Sequence, residues 1–174
     1  MPFRKRQASV DTNILYYFFA AGRLDILWTL FPEGIWIDPT VFYEIRREFE
    51  NDLKAWLYEQ GLGYQVERQF EDAHNVEIAE IKARHRGLKH PDIATIVVAG
   101  KHGIACLSAD DAVRKTCDER GIHFARHIGC LEEAVRREII VPAEAIRILD
   151  AFQTEGLYLP LPLVTECRES WRNL

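Results

Sequence analysis

Five carboxylates occupy junctions in this chain where an apolar run stops or a helix-like run begins. Asp11 interrupts "ASVDTNILYYFF", Glu44 sits in "DPTVFYEI", Asp92 opens "HPDIATIVVA", and Asp110 and Asp111 follow the strand-like "IACLS". Carboxylates gathered in one place repel one another strongly unless a divalent cation sits among them. An oxygen-only ligand set without thiolates suits Mg²⁺ or Mn²⁺ better than zinc. Such cations activate water and offset charge on a phosphodiester, the usual arrangement for hydrolytic cutting of nucleic acid. Each acid also has a plainer role open to it. Asp11, Asp92 and Asp110 are placed to cap helices at the positive end of the dipole, and Glu44 reads equally as a solvated helix residue.

The elements that must position these acids alternate between short apolar runs and helix-length amphipathic stretches, which predicts an α/β fold with a mainly parallel sheet. Strands are expected at "QASV", "GIWI", "IACLS" and "IHFA". Helices are expected after Asp11, over "GRLDILWTLF", from Pro39 with Asp38 as its cap, from Pro91 to near Gly103, and over "DDAVRKTCDERG". Residues 51–87 read as mostly helical with an extended piece around "GYQVE"; "CLEEAVRREI" and "PAEAIRILDAFQTEG" read as two further helices, and a last helical piece follows "LYLPLP". Parallel strands joined by right-handed helical crossovers leave their carboxyl ends on one edge, where open α/β proteins bind ligands. If "QASV" and "IACLS" are neighbours, Asp11 and Asp110 meet at that edge.

With 174 residues and 48% hydrophobic content, the chain is expected to form one domain, residues 1–174, with a core large enough to need no disulfide or structural metal. Its 27 acidic and 22 basic residues give a net charge of -5, so nucleic-acid binding must rely on local basic patches and bound cations. The four cysteines, Cys106, Cys117, Cys130 and Cys167, form no C-x-x-C pair and read as reduced and structural. The basic "MPFRKRQ" precedes only a short apolar run, so neither a signal peptide nor a membrane helix is expected, and the cytoplasm is the expected location.

At the level of motifs the chain resembles the PIN-domain family, metal-dependent ribonucleases that include the VapC toxins of bacterial toxin–antitoxin pairs. "VDTNIL" is similar to the family's first motif, "DPTVFYEI" to the second, "HPDIATIVVA" to the third and "CLSADDAVRKTCDERGI" to the fourth, in the family's order. The motif core spans about residues 8–125, and residues 126–174 are a helical extension similar to the tail of PIN-like proteins predicted to bind nucleic acid. The resemblance implies a PIN-like three-layer sandwich, a central mainly parallel sheet flanked by helices. It also implies a Mg²⁺- or Mn²⁺-dependent endoribonuclease with Asp11, Asp92 and Asp110 as metal ligands and Glu44 as a ligand or an acid that orients water. Asp111 is the alternative to Asp110, because an alignment on the doublet shifts the fourth motif by one. The stretch between the second and third motifs is longer than in compact toxins of the family.

"KARHRGLKHPD" places Arg84, Arg86 and Lys89 just before Asp92, and Arg114 follows the Asp doublet; basic residues beside an acidic cleft would hold the backbone of single-stranded RNA. They read equally as a solvated helix face. Thr12 or Asn13, and Ser108, could help by hydrogen-bonding water or a carboxylate, but local backbone hydrogen bonding at turns is the stronger expectation. The implied partners are an RNA substrate, a cognate antitoxin and a second copy of the chain, docked through Leu27, Trp28, Leu30 and Phe31. The alternatives are an inert PIN-like module that binds RNA or protein and a housekeeping RNA-processing nuclease. A Mg²⁺ phosphohydrolase with an Asp nucleophile is disfavoured because D-T-N lacks the D-x-D that chemistry requires.

Overall fold

A computed structural model of the chain describes residues 1–45, 47–67 and 70–172, the side chains of residues 47–50 excepted. Four short strands, β1 (Gln7–Val10), β2 (Gly34–Trp36), β3 (Ala105–Leu107) and β4 (Phe124–Ala125), form an all-parallel sheet in the order β2-β1-β3-β4. The chain moves from β1 outward to β2 and then crosses to β3 on the other side, so the topological switch lies between β1 and β3. Val10 pairs with Leu107 in that register, which aligns the carboxyl ends of the two strands. The Gln65 backbone extends the sheet beyond β2, donating to the Ile35 carbonyl and accepting from Ile37 N–H. It is the extended piece expected in "GYQVE".

The sheet is covered on both faces because its side chains alternate between them. Ala8, Val10, Ala105 and Leu107 enter one apolar cluster with residues from α1 (Thr12–Ala20), α2 (Asp25–Leu30), α8 (His127–Arg136), α9 (Pro142–Thr154) and α10 (Leu161–Arg172). Cys106 faces a second cluster, built with α5 (Asp72–Arg84), α6 (His90–His102) and α7 (Asp111–Arg120). Helix α6 is apolar nearly all round, as "IATIVVA" requires of a helix held between a sheet and its neighbours. All four cysteines are free and buried. Among the described residues, no helix is long and apolar enough to cross a membrane.

Two expectations change. The helix that opens at Pro39 stops early: α3 (Pro39–Glu44) gives way at Ile45, whose φ of -66° and ψ of 133° are extended, and α4 (Arg47–Glu59) starts afresh. Arg46 lies outside the described residues. Glu44 is therefore the last residue of a short helix. The second change concerns α2, offered above as a dimer surface. Leu27, Leu30 and Phe31 are fully buried within the chain and Trp28 is half-buried, its indole N–H donating to the Gly63 carbonyl at 2.7 Å. Their excess of apolar surface is consumed by the packing of α8 on α2 and by the first cluster, so a second copy would have to dock elsewhere.

Candidate active site

Asp11 stands one residue beyond β1, where its N–H is anchored to the Leu107 carbonyl at 3.0 Å, and its side chain is 1% exposed. One carboxylate oxygen caps α1, accepting from Ile14 N–H at 3.0 Å. The other accepts from the Ser108 hydroxyl, whose oxygen in turn accepts from Asp110 N–H at 3.1 Å. Ser108 thus links the β1 acid to the β3 turn, bonding a carboxylate as well as the local backbone.

Asp110 caps α7, with Oδ1 accepting from Ala112 N–H at 2.6 Å and Val113 N–H at 3.1 Å; Oδ2 has no partner among the described residues. Asp92, in the first turn of α6, uses Oδ2 to accept from Lys89 N–H at 2.8 Å and leaves Oδ1 likewise without a partner. Glu44 is engaged at both oxygens, by the Thr12 hydroxyl at 2.8 Å and by Lys89 Nζ at 3.1 Å. Thr12 therefore bonds a carboxylate across on α3, the alternative to local turn bonding. The capping role and the clustering are both present, because a helix cap consumes one oxygen and three helices begin at the same sheet edge.

The electrostatics show that these acids share one environment. Burial pushes the Asp11 carboxyl up to about 7, with a further upward contribution from Asp92 and opposing hydrogen bonds from Ser108 and Ile14. Asp92 is also raised, first by burial and then by the charges of Asp110 and Glu44. Asp111 behaves differently. It is fully exposed and paired with Arg126 and Arg114, and the Arg126 guanidinium above all holds its carboxyl below the usual range. The doublet thus separates into Asp110, which faces the acids, and Asp111, which faces the cations.

The basic residues separate in the same way. Lys89 reaches the acids through Glu44, whereas Arg114 is committed to Asp111 and Asp118 along α7. Arg84 and Arg86, at the end of α5 and in the turn after it, are exposed and precede Lys89 in the chain. Among the described residues, no three His, Cys, Asp or Glu side chains are gathered closely enough to hold an ion as they stand.

A family model described as a PIN domain matches residues 8–173. The chain belongs to the PIN-domain family. The match spans all four motifs and the helices after them, so this PIN domain has a nuclease-type fold. No curated protein and no solved structure matches the chain.

The PIN domain also carries site features that single residues did not signal. Beside Thr12 and Glu44 lies a polar pocket of about 460 Å³, lined further by Asn13, Tyr16, Tyr17 and Glu155. Tyr16 and Tyr17 follow Asp11 by little more than a helical turn, so their place near the acids was legible once α1 was assigned. Glu155, at the end of α9, lies 139 residues from Tyr16 in sequence, yet accepts from its hydroxyl at 3.0 Å. Burial, and then the Glu155 charge, push the Tyr17 phenol up.

Proposed function

We propose that this PIN domain is a divalent-cation-dependent endoribonuclease. The observation that carries this reading is the convergence of Asp11, Asp92 and Asp110 at the starts of three helices, with the pKa values of Asp11 and Asp92 raised partly by neighbouring carboxylates. The donor set is oxygen only and includes two carboxylate oxygens without a partner among the described residues, which fits Mg²⁺ or Mn²⁺ in kind. Asp11, Asp92 and Asp110 would hold the cation, and Glu44 would stand behind them. When bound, such a cation activates water and offsets charge on the phosphodiester.

The chain's own residues supply the rest. Ser108 holds the Asp11 carboxylate by one oxygen while Ile14 N–H holds the other, so its orientation is set before substrate arrives. Asp11 ionises fully at neutral pH only when positive charge enters the cleft, which makes the site responsive to cations. Lys89, with Arg84 and Arg86 preceding it in the chain, supplies positive charge for the RNA backbone beside an otherwise repulsive acidic edge. Within this family we propose the toxin of a toxin–antitoxin pair, since the chain's four motifs resemble those of the family that includes such toxins. Co-purification with the product of an adjoining reading frame, and loss of cleavage in that complex, test the assignment.

Cleavage of single-stranded RNA should require Mg²⁺ or Mn²⁺ and stop on chelation. Activity that persists unchanged in excess EDTA overturns the proposal.

A further inference from the structure

Building on the nuclease reading, we infer that the pocket between α1, α3 and the end of α9 receives the base of a nucleotide flanking the cleaved bond, and that Glu155 selects guanine there. The pocket shares Thr12 and Glu44 with the acid cluster, so whatever fills it lies directly beside the reacting phosphate. Among the described residues that line it, two are carboxylates and none is basic, a lining that repels phosphate and favours an uncharged group rich in hydrogen-bond donors. Its walls are aromatic as well. Tyr16 and Tyr17 stand edge to face with centroids 5.3 Å apart, and Tyr17 is held from behind by Phe152 at 6.0 Å and His127 at 6.4 Å. Aromatic walls beside a reactive centre suit a base splayed out of a single strand.

The choice of base follows from what a carboxylate accepts. Glu155 is fixed by the Tyr16 hydroxyl at one oxygen, while its second oxygen has no partner among the described residues. A carboxylate accepts two parallel N–H bonds, and charge-assisted pairs of this kind are the strong ones. Of the four bases only guanine presents two adjacent donors, N1–H and the N2 amino group, on its Watson–Crick edge. Adenine and cytosine set a ring-nitrogen acceptor beside their amino donor, and uracil flanks its single donor with two carbonyls. Each would press a lone pair against the carboxylate. Tyr16 is a positioning residue, since it acts by holding Glu155.

Fluorescently labelled pentaribonucleotides AAGAA, AAAAA, AACAA and AAUAA, with an inosine version that lacks the N2 amino group, test the inference. Binding is followed by anisotropy without divalent cation, and cleavage is then measured with Mn²⁺. The guanosine oligonucleotide should bind at least tenfold more tightly than the other three standard ones, with inosine between. Glu155→Gln, a near-isosteric change at an exposed position, should bring all of them within about twofold. Tyr16→Phe should reduce the preference several-fold, which a loss of packing alone would not do. Equal affinity for all bases, no binding at all, or a preference that survives Glu155→Gln overturns the inference. Guanine-selective binding without cleavage overturns the nuclease reading and leaves the pocket assignment standing; cleavage indifferent to base does the reverse.

Discussion

At the scale of single residues, Asp11 and His127 dominate the pH behaviour, and in opposite senses. Asp11 is raised from 3.8 to about 7, so between those values the folded chain keeps a proton that the unfolded chain has lost, and stability falls as pH rises through that window. Asn caps a helix as well as Asp does. Asp11→Asn should therefore raise stability at pH 8 in EDTA by roughly 2–4 kcal/mol, from about three units at 1.36 kcal/mol each, while RNA cleavage drops by orders of magnitude. A variant that melts like the wild type and cuts at the wild-type rate would reduce Asp11 to a cap. Asp111→Asn is the control and should leave cleavage nearly unchanged. His127 is buried, packed between Tyr17 and Phe152, with neither ring nitrogen partnered among the described residues, and burial lowers it to about 4. Here the unfolded chain binds the extra proton, so the stability His127 contributes is present above 6.5 and lost as pH falls toward 4. His127→Phe should remove a loss of about 2 kcal/mol between pH 6.5 and 5. Thermal melts should show its advantage over wild type to be larger at pH 5 than at pH 8.

The site works at the scale of elements because α1, α6 and α7 all start at the carboxyl edge of β1 and β3. Helix starts carry free N–H groups and the positive end of the dipole, which draw acids to them. A capping acid spends one oxygen and can offer the other, so helix starts are natural stations for carboxylate clusters. The far end of α6 is closed differently, by Gly103 in the left-handed region at φ 61°. A Cβ added there meets nothing within 4 Å, so Gly103→Ala should act through backbone strain alone. We expect a loss of about 1 kcal/mol, read as a melting temperature lower by roughly 2–4 °C. Cleavage per folded molecule should be unaltered, since the acids lie at the other end of the helix. A loss of cleavage without a loss of stability would show that α6 positions Asp92 more delicately than its packing implies.

For the whole molecule, the helices after residue 125 are part of the core. The first apolar cluster runs from Ala8 to Trp171, and Phe18 of α1 meets Phe152 of α9 edge to face with centroids 5.2 Å apart. Phe152→Ala should cost about 3–5 kcal/mol and shift one cooperative transition. A chain ended after Ala125 should give no cooperative melt, although it carries every acid of the site. If that shorter chain melts cooperatively and cuts RNA, the C-terminal helices are a separable appendage.

The sequence by itself determined the strands, the parallel arrangement and the junctions at which the acids stand. Those features are written locally, in apolar runs of strand length, in Asp–Pro and Gly punctuation, and in polar residues set where such runs end. It did not separate Asp110 from Asp111, because adjacent identical residues differ only in what they face, and Arg126 and Arg114 reach Asp111 from elements that only folding brings near. Nor did it reveal that α2 spends its apolar face inside the chain, since periodicity shows that a face is apolar but not what covers it. The partnerships of Ser108 with Asp11, Thr12 with Glu44, and Tyr16 with Glu155 span 97, 32 and 139 residues. Contacts at such separations leave no local pattern, and only the tertiary structure, by stacking β3 beside β1 and α9 against α1, decides them.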